Sequence, residues 1–163
     1  MQHPIPFDKL HDELAYLGSK LLHETISDLC RYQQDAIVQD ETLVTKAPKI
    51  TPIQAKIDWN RKNARDIFIL FLAIGSKLNL HAIFRNKKIQ LTEIIDPSTH
   101  TYPNDLADNS IPGSLVFKNK LLYVRTNCDW LAVKRVRVEG KKEVDTWDFF
   151  NGYRFNNYQE FFS

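Results

Sequence analysis

The 163-residue sequence predicts a mainly β domain with flanking helices: a small barrel or sandwich of short strands, preceded by an amphipathic helix and an extended linker. Three observations carry that reading. Leu10, Leu14, Leu17 and Leu21 fall four, three and four residues apart, so they share one face of a helix. Residues 39–59, QDETLVTKAPKITPIQAKIDW, have no apolar period long enough for a helix, and Pro48 and Pro52 each remove a backbone donor and bias the preceding residue toward extended geometry. From Leu78 onward the apolar residues alternate, in short runs separated by Asn, Asp, Gly and Pro.

The first helix is expected from Phe7 to about Arg31. Leu22, Ile26 and Leu29 widen its stripe, and Asp8, Asp12 and Glu13 sit at the front, where the helix dipole favours anions. A helix with this much leucine needs a surface to lie on. Gln33 to Gln39 reads as a loop into the linker. Beyond the linker, Asn60 or Asn63 can cap a second helix with Ala64, Ile67, Phe71 and Ile74 on its apolar face and Gly75 as its stop. Arg61, Lys62 and Arg65 lie on or near its first turn, where cations work against the dipole. They are either exposed and screened or held there for an anionic ligand.

In the first strand Leu80, Ala82 and Phe84 face one way, and the turn Arg85-Asn86-Lys87-Lys88 leads to a return strand over Ile89 to Ile95. Asp96 to Ser110 is a long loop. Strands then run from Pro112 to Phe117, Leu121 to Thr126 and Trp130 to Val138, joined at Lys118-Asn119-Lys120 and at Asn127 to Asp129. The last strand changes parity: Leu131 and Val133 are odd, Val136 and Val138 even. A single inward face cannot survive that switch without a bulge or corner, expected at Lys134-Arg135. Asp145 can cap a closing helix carrying Trp147, Phe149 and Phe150, with Asp148 at the capping-box position and Gly152 as its stop. Phe155, Tyr158, Phe161 and Phe162 form an aromatic tail expected to fold back.

No run of about 18 apolar residues is present, so no membrane span is expected. The opening MQHPIPFDKL lacks both a signal-peptide core and an Arg-rich presequence. Cys30 and Cys128 are far apart and are expected as buried or partly buried free thiols. Residues 1–40 hold seven acids and three bases, residues 41–163 thirteen acids and nineteen bases, which points to a polyanion partner for the second part. His3, His11, His23, His81 and His100 show no metal-ligand spacing and read as surface or helix-face residues. No G-x-S-x-G elbow or glycine-rich phosphate loop occurs.

The wording of several segments resembles the methionyl-tRNA formyltransferase family. Ala47-Pro48-Lys49-Ile50 and Ile57-Asp58-Trp59 are similar to that family's linker and the start of its C-terminal domain. LHDELAYLGSKLLHETI is similar to the last helix of its catalytic domain. Ile111-Pro112-Gly113-Ser114 and Asp148-Phe149-Phe150-Asn151-Gly152-Tyr153 resemble the barrel strand and closing helix of the mitochondrial form. Where most bacterial members carry an Asn-Pro-Trp-Pro-Gly type turn, this chain has Ala73-Ile74-Gly75-Ser76-Lys77-Leu78, which favours the mitochondrial branch.

The resemblance implies a helix remnant of the catalytic domain at 1–38, a basic linker at 39–56 and an OB-like tRNA-binding barrel at 57–163. It further implies a monomer partnered by initiator methionyl-tRNA and by a catalytic domain in cis, with no membrane partner and a mitochondrial location. The family's formyl donor is 10-formyltetrahydrofolate, and its catalytic Asn, His and Asp and its Ser-Leu-Leu-Pro segment find no match here. The expectation is therefore no cofactor, no metal, no catalytic residue and no formyl transfer by this chain alone. The expected nucleic-acid contacts are Lys46, Lys49, Lys56, Arg61, Lys62, Arg65, Arg85, Lys87, Lys88, Arg135, Arg137, Lys141 and Lys142, with Lys49 foremost because it matches the family linker. A competing reading is a stand-alone protein-interaction or regulatory module that pairs through the leucine face of residues 10–29.

Overall fold

The computed structural model describes residues 4–107 and 110–163, which divide into two compact units, 1–50 and 51–163. In the first unit, helix α1 spans Phe7–Ser27 and helix α2 spans Leu29–Gln34. The expected single helix is thus broken at Asp28, whose backbone (φ −139°, ψ 54°) leaves the helical region, and α2 takes in the start of the expected loop. Neither helix contains a buried residue. The segment that follows has no regular structure apart from one 3-10 turn at Glu41–Leu43, capped by Asp40, whose side chain accepts from the Thr42 backbone N–H.

The second unit opens with another 3-10 turn, Pro52–Ala55, with Pro52 at a position that needs no N–H. Helix α3 covers Ala64–Ile74, and Asn63 caps it by accepting from the Asp66 N–H at 2.7 Å. Six strands follow: β1 (His81–Phe84), β2 (Lys87–Ile94), β3 (Leu115–Lys118), β4 (Leu121–Arg125), β5 (Trp130–Val138) and β6 (Glu143–Asp145). They form one antiparallel sheet in the order β1-β2-β5-β4-β3, with β6 also paired to β5. The short β6 has no counterpart in the sequence reading. Helix α4, Thr146–Tyr153, closes the unit, capped by Asp145, which accepts from the Asp148 N–H at 2.9 Å. Gly152 does not stop it; the helix ends beyond, at Arg154 in the left-handed region (φ 45°).

Both tight hairpins use two residues with positive φ. Arg85 and Asn86 (46° and 62°) join β1 to β2; Asn119 and Lys120 (52° and 63°) join β3 to β4. Such turns match the right-handed twist of the strands they connect. The parity break in β5 takes the expected form. Leu91 faces Val136, Glu93 faces Arg135 and Ile94 faces Val133, so the register shifts on either side of Glu93. Lys134 and Arg135 are the exposed pair at that shift, between buried Val133 and Val136.

The sheet buries one face in a single large core. Phe84 is 1% exposed and packs against the rings of Phe149, Tyr153, Phe155 and Phe162 at centroid distances of 5.7, 5.7, 5.9 and 5.8 Å. Strands β3 to β5 are covered on their other face as well, where Val116, Tyr123, Trp130 and Ala132 meet Tyr102 and Leu106 from the long loop. That double burial explains why these strands read as nearly continuous apolar runs. Residues 108 and 109 of the expected loop lie outside the described residues, as does His3.

The aromatic tail folds back along the open edges of the sheet. Tyr158 and Phe162 N–H groups donate to Leu115 and Gly113 carbonyls, and the Leu115 N–H donates to Glu160. On the other side Ser163 and Ile83 exchange both backbone hydrogen bonds, at 2.9 and 2.7 Å. The tail therefore satisfies backbone groups on both edge strands, which otherwise would be open to pairing with other chains. Gly113 has φ +90°, and a Cβ there would collide with the Phe162 carbonyl oxygen, so this crossing requires glycine. Phe155 and Phe162 are buried, whereas Phe161 and Trp147 remain substantially exposed. Both cysteines are free and exposed, contrary to expectation: Cys30 lies on α2, which buries nothing, and Cys128 lies at the tip of the β4–β5 turn.

Candidate nucleic-acid interface

The alternation that buries Ala82, Ile89, Leu91, Val136 and Val138 turns the residues between them outward. Across β1, β2, β5 and β6 this produces one transverse row, His81, Gln90, Arg137 and Glu143, set by backbone register. Beside it, Lys88 faces Ile83, and the Lys88 carbonyl accepts from the Glu139 N–H at 2.9 Å. Lys56 forms an isolated parallel bridge with His81 and extends the row past β1. Cations from three separate stretches of sequence thus meet on one face.

Tyr153 lies at the hairpin end on the core side of the sheet, against Phe84, whose cross-strand partner is Lys87. Lys87 and Lys141 place their ammonium groups 6.0 and 5.6 Å from the Tyr153 ring centroid, within cation–π range. The Tyr153 carbonyl accepts from Arg85 Nη1 at 3.0 Å. Arg137 Nε donates to Gln90 Oε1 at 2.7 Å, which orients the guanidinium without neutralising it. Lys88, Gln90, Arg137, Glu139 and Lys141 are among the residues lining a pocket of about 210 Å³. Lys142 is the exposed neighbour of Lys141 in the same turn.

Other candidates are partly committed elsewhere. Arg85 is held by Glu160 in a bidentate ion pair, which also raises its pKa, so it braces the tail against the hairpin. Arg135 is paired with Glu143 at 2.9 Å and Arg61 with Asp58 at 3.6 Å. Among the described residues, no ion pair engages Lys56, Lys87, Lys88, Arg137, Lys141 or Lys142.

Arg61, Lys62 and Arg65 belong to a different part of the unit. The carbonyls of Lys62 and Arg61 accept from the Asn127 backbone and side-chain amides at 3.3 and 3.4 Å. That places them at the start of β5, whereas Lys141 lies beyond its end; nine residues of strand span about 30 Å. The first helical N–H of α3 donates to Asp129 Oδ1 at 2.8 Å, so a carboxylate inside the fold supplies the anion that the helix dipole favours. The cations near this terminus need no external anion to offset them. Lys46 and Lys49 lie exposed in the first unit, outside any helix or strand.

His81 was not among the expected contacts, nor were Gln90 and Tyr153. His81 is half-buried. Burial first, then the charges of Lys88 and Lys56, hold its pKa below the ordinary histidine value, against a smaller opposing effect of the Asn79 backbone. No charge run marks these three residues in the sequence; only strand register brings them beside the lysines. His100 also departs from a simple surface role. It sits 3.2 Å from the Tyr123 hydroxyl, and burial lowers its pKa.

Fold and site define a small mainly β domain with a cationic band across one face of its sheet. The family model described as formyl transferase, C-terminal domain, matches residues 49–154, and the chain belongs to that family. Methionyl-tRNA formyltransferase of Lactococcus lactis subsp. cremoris is 32% identical over 146 residues, covering 88% of this chain and 44% of that protein. The mitochondrial methionyl-tRNA formyltransferases of Bos taurus and Homo sapiens are each 27% identical over 156 residues, covering 93% of this chain and 40% of theirs. The chain therefore spans less than half the length of these relatives. Among solved structures, a HypX variant from Aquifex aeolicus superposes with a TM-score of 0.58 at 13% identity, over 93% of this chain and 27% of that one, a likeness of fold alone.

Proposed function

We propose that this chain is the RNA-gripping, C-terminal part of a methionyl-tRNA formyltransferase, with an OB-like barrel as its binding module. The observation that carries the reading is the group of Lys56, Lys88 and Arg137 on the outward sheet face, with Lys87 and Lys141 beside Tyr153 at the hairpin end, none of them engaged in an ion pair among the described residues. Such cations neutralise phosphates and release counterions, which gives affinity without reading sequence. Lys46 and Lys49 add contacts from the segment before the barrel.

The partner is initiator methionyl-tRNA, and the formyl donor of the complete enzyme is 10-formyltetrahydrofolate. Formyl transfer needs a group to take the amine proton and donors for the developing oxyanion, fixed in one geometry. We assign those groups to a catalytic domain in cis, so the barrel contributes affinity and orientation. The Ala73 to Leu78 segment supports placement in the mitochondrial branch and a mitochondrial location.

The test is to measure binding of the purified chain to initiator tRNA in dilute buffer and to assay formylation in parallel. The expected result is salt-sensitive binding without turnover. No RNA affinity in dilute buffer, or formylation by the chain unaided, would overturn the assignment. A second reading rests on the exposed leucines of α1, which present an unburied apolar face. Concentration-dependent oligomerisation abolished by Leu14→Glu would favour that alternative.

A further inference from the structure

We propose that His81 is a proton-linked phosphate contact: a polyanion seated between Lys56 and Lys88 is bound together with a proton on the His81 ring. The inference rests on the RNA-binding reading above and names a residue and a linkage which that reading does not contain.

The geometry is local and specific. Lys56 and His81 are bridge partners, and His81 pairs directly with Gln90, two residues from Lys88 on the same outward face of β2. The ring is half-buried, and a backbone hydrogen bond to Asn79 favours its protonated form. The charged groups acting on it are Lys88 from β2 and Lys56 from the segment beside β1; no carboxylate is among them. In the free protein these two cations, together with burial, disfavour a third charge, so the ring is neutral near pH 7.

A phosphate between the two lysines inverts that balance. It screens both ammonium groups from the ring and offers an anion to an imidazolium. The protonated ring then becomes the third cation of the site, and the preference for the neutral form is lost. Linkage fixes the sign: the complex holds more protons than the free partners, so affinity rises as pH falls. Proton uptake is confined to the window between the lowered pKa of the free ring and the higher pKa in the complex. Above that window the ring is neutral in both states and contributes nothing to the pH dependence.

The experiment is binding of initiator tRNA from pH 8.5 to 5.5 at fixed ionic strength, with the wild-type chain, His81→Gln and His100→Gln. In the wild type, affinity should climb toward acid by up to about tenfold per pH unit inside the window. His81→Gln should lose most of that climb, whereas His100→Gln should keep it. An equal pH slope in wild type and His81→Gln would overturn the proposal while leaving RNA binding intact. Absence of binding by the wild type at every pH would overturn the parent reading and this one with it. Ring-proton NMR of the wild-type chain supplies a readout that needs no variant. The His81 titration should move to higher pH when tRNA is added, and an unmoved titration in the complex would refute the linkage.

Discussion

Helices α1 and α3 carry similar apolar periodicity and meet different fates. In α3, Ala64, Ile67, Phe68 and Ile74 are all buried in the main core of the second unit. In α1, Leu10, Leu14, Leu17 and Leu21 are 42%, 57%, 53% and 62% exposed, and the first unit buries no described residue. Amphipathicity specifies that a helix has a face to bury; it does not supply the surface that buries it. The stability of the described chain should accordingly reside in residues 51–163, and substitutions can break or sharpen that contrast.

The largest effect is expected at Phe84, ringed by four aromatic side chains. Phe84→Ala should cost about 3–5 kcal/mol in urea or thermal unfolding, whereas Leu14→Ala in α1 should stay within about 0.5 kcal/mol. An equal loss at both positions would break the comparison. Next comes Gly113→Ala, which places a side chain at φ +90° against the Phe162 carbonyl. It should cost at least about 1–3 kcal/mol and loosen the tail, read as faster amide exchange at Phe162 and Ser163. Loss of the α4 cap in Asp145→Ala should be smaller, about 1 kcal/mol. The Arg31–Asp35 pair on α2, at 3.6 Å and largely exposed, should be worth only about 0.3–0.5 kcal/mol.

Acid sharpens the same contrast. His81 and His100 have folded-state pKa values below the ordinary 6.5. The unfolded chain therefore binds more protons as pH falls through 6.5, and the stability of the second unit should decline until the folded-state values are passed. His81→Gln and His100→Gln together should flatten that decline in unfolding midpoints measured between pH 7.5 and 5. A decline unaltered in the double variant would remove both histidines from the account.

Much of this fold is legible in the chain. The parity change between Val133 and Val136 locates the β5 irregularity because a period of two cannot hide a one-residue shift. Asn63, Asp145 and the Asn86 turn declare themselves by side-chain chemistry. Strand β6 escapes because Glu143–Asp145 is too short and polar to show a period; its pairing partner in β5 alone makes it a strand. The break at Asp28 escapes because the leucine stripe continues through it. The cations of the site are visible as residue types, but their grouping is not. Lys56, Lys88 and Arg137 meet through cross-strand register, and Lys87 and Lys141 through a shared tyrosine, while Arg61 and Lys62 are separated from Lys141 by the length of β5.

The central claim is that the cationic band holds RNA by its phosphates. The direct measurement is the slope of log affinity against log salt for initiator tRNA, in the wild-type chain and in Lys87→Glu/Lys88→Glu/Lys141→Glu. Each phosphate contact removed should flatten the slope by about 0.7–0.9, with affinity falling in step, while Lys20→Glu on α1 should change neither. A triple variant with the wild-type slope and affinity would contradict the claim.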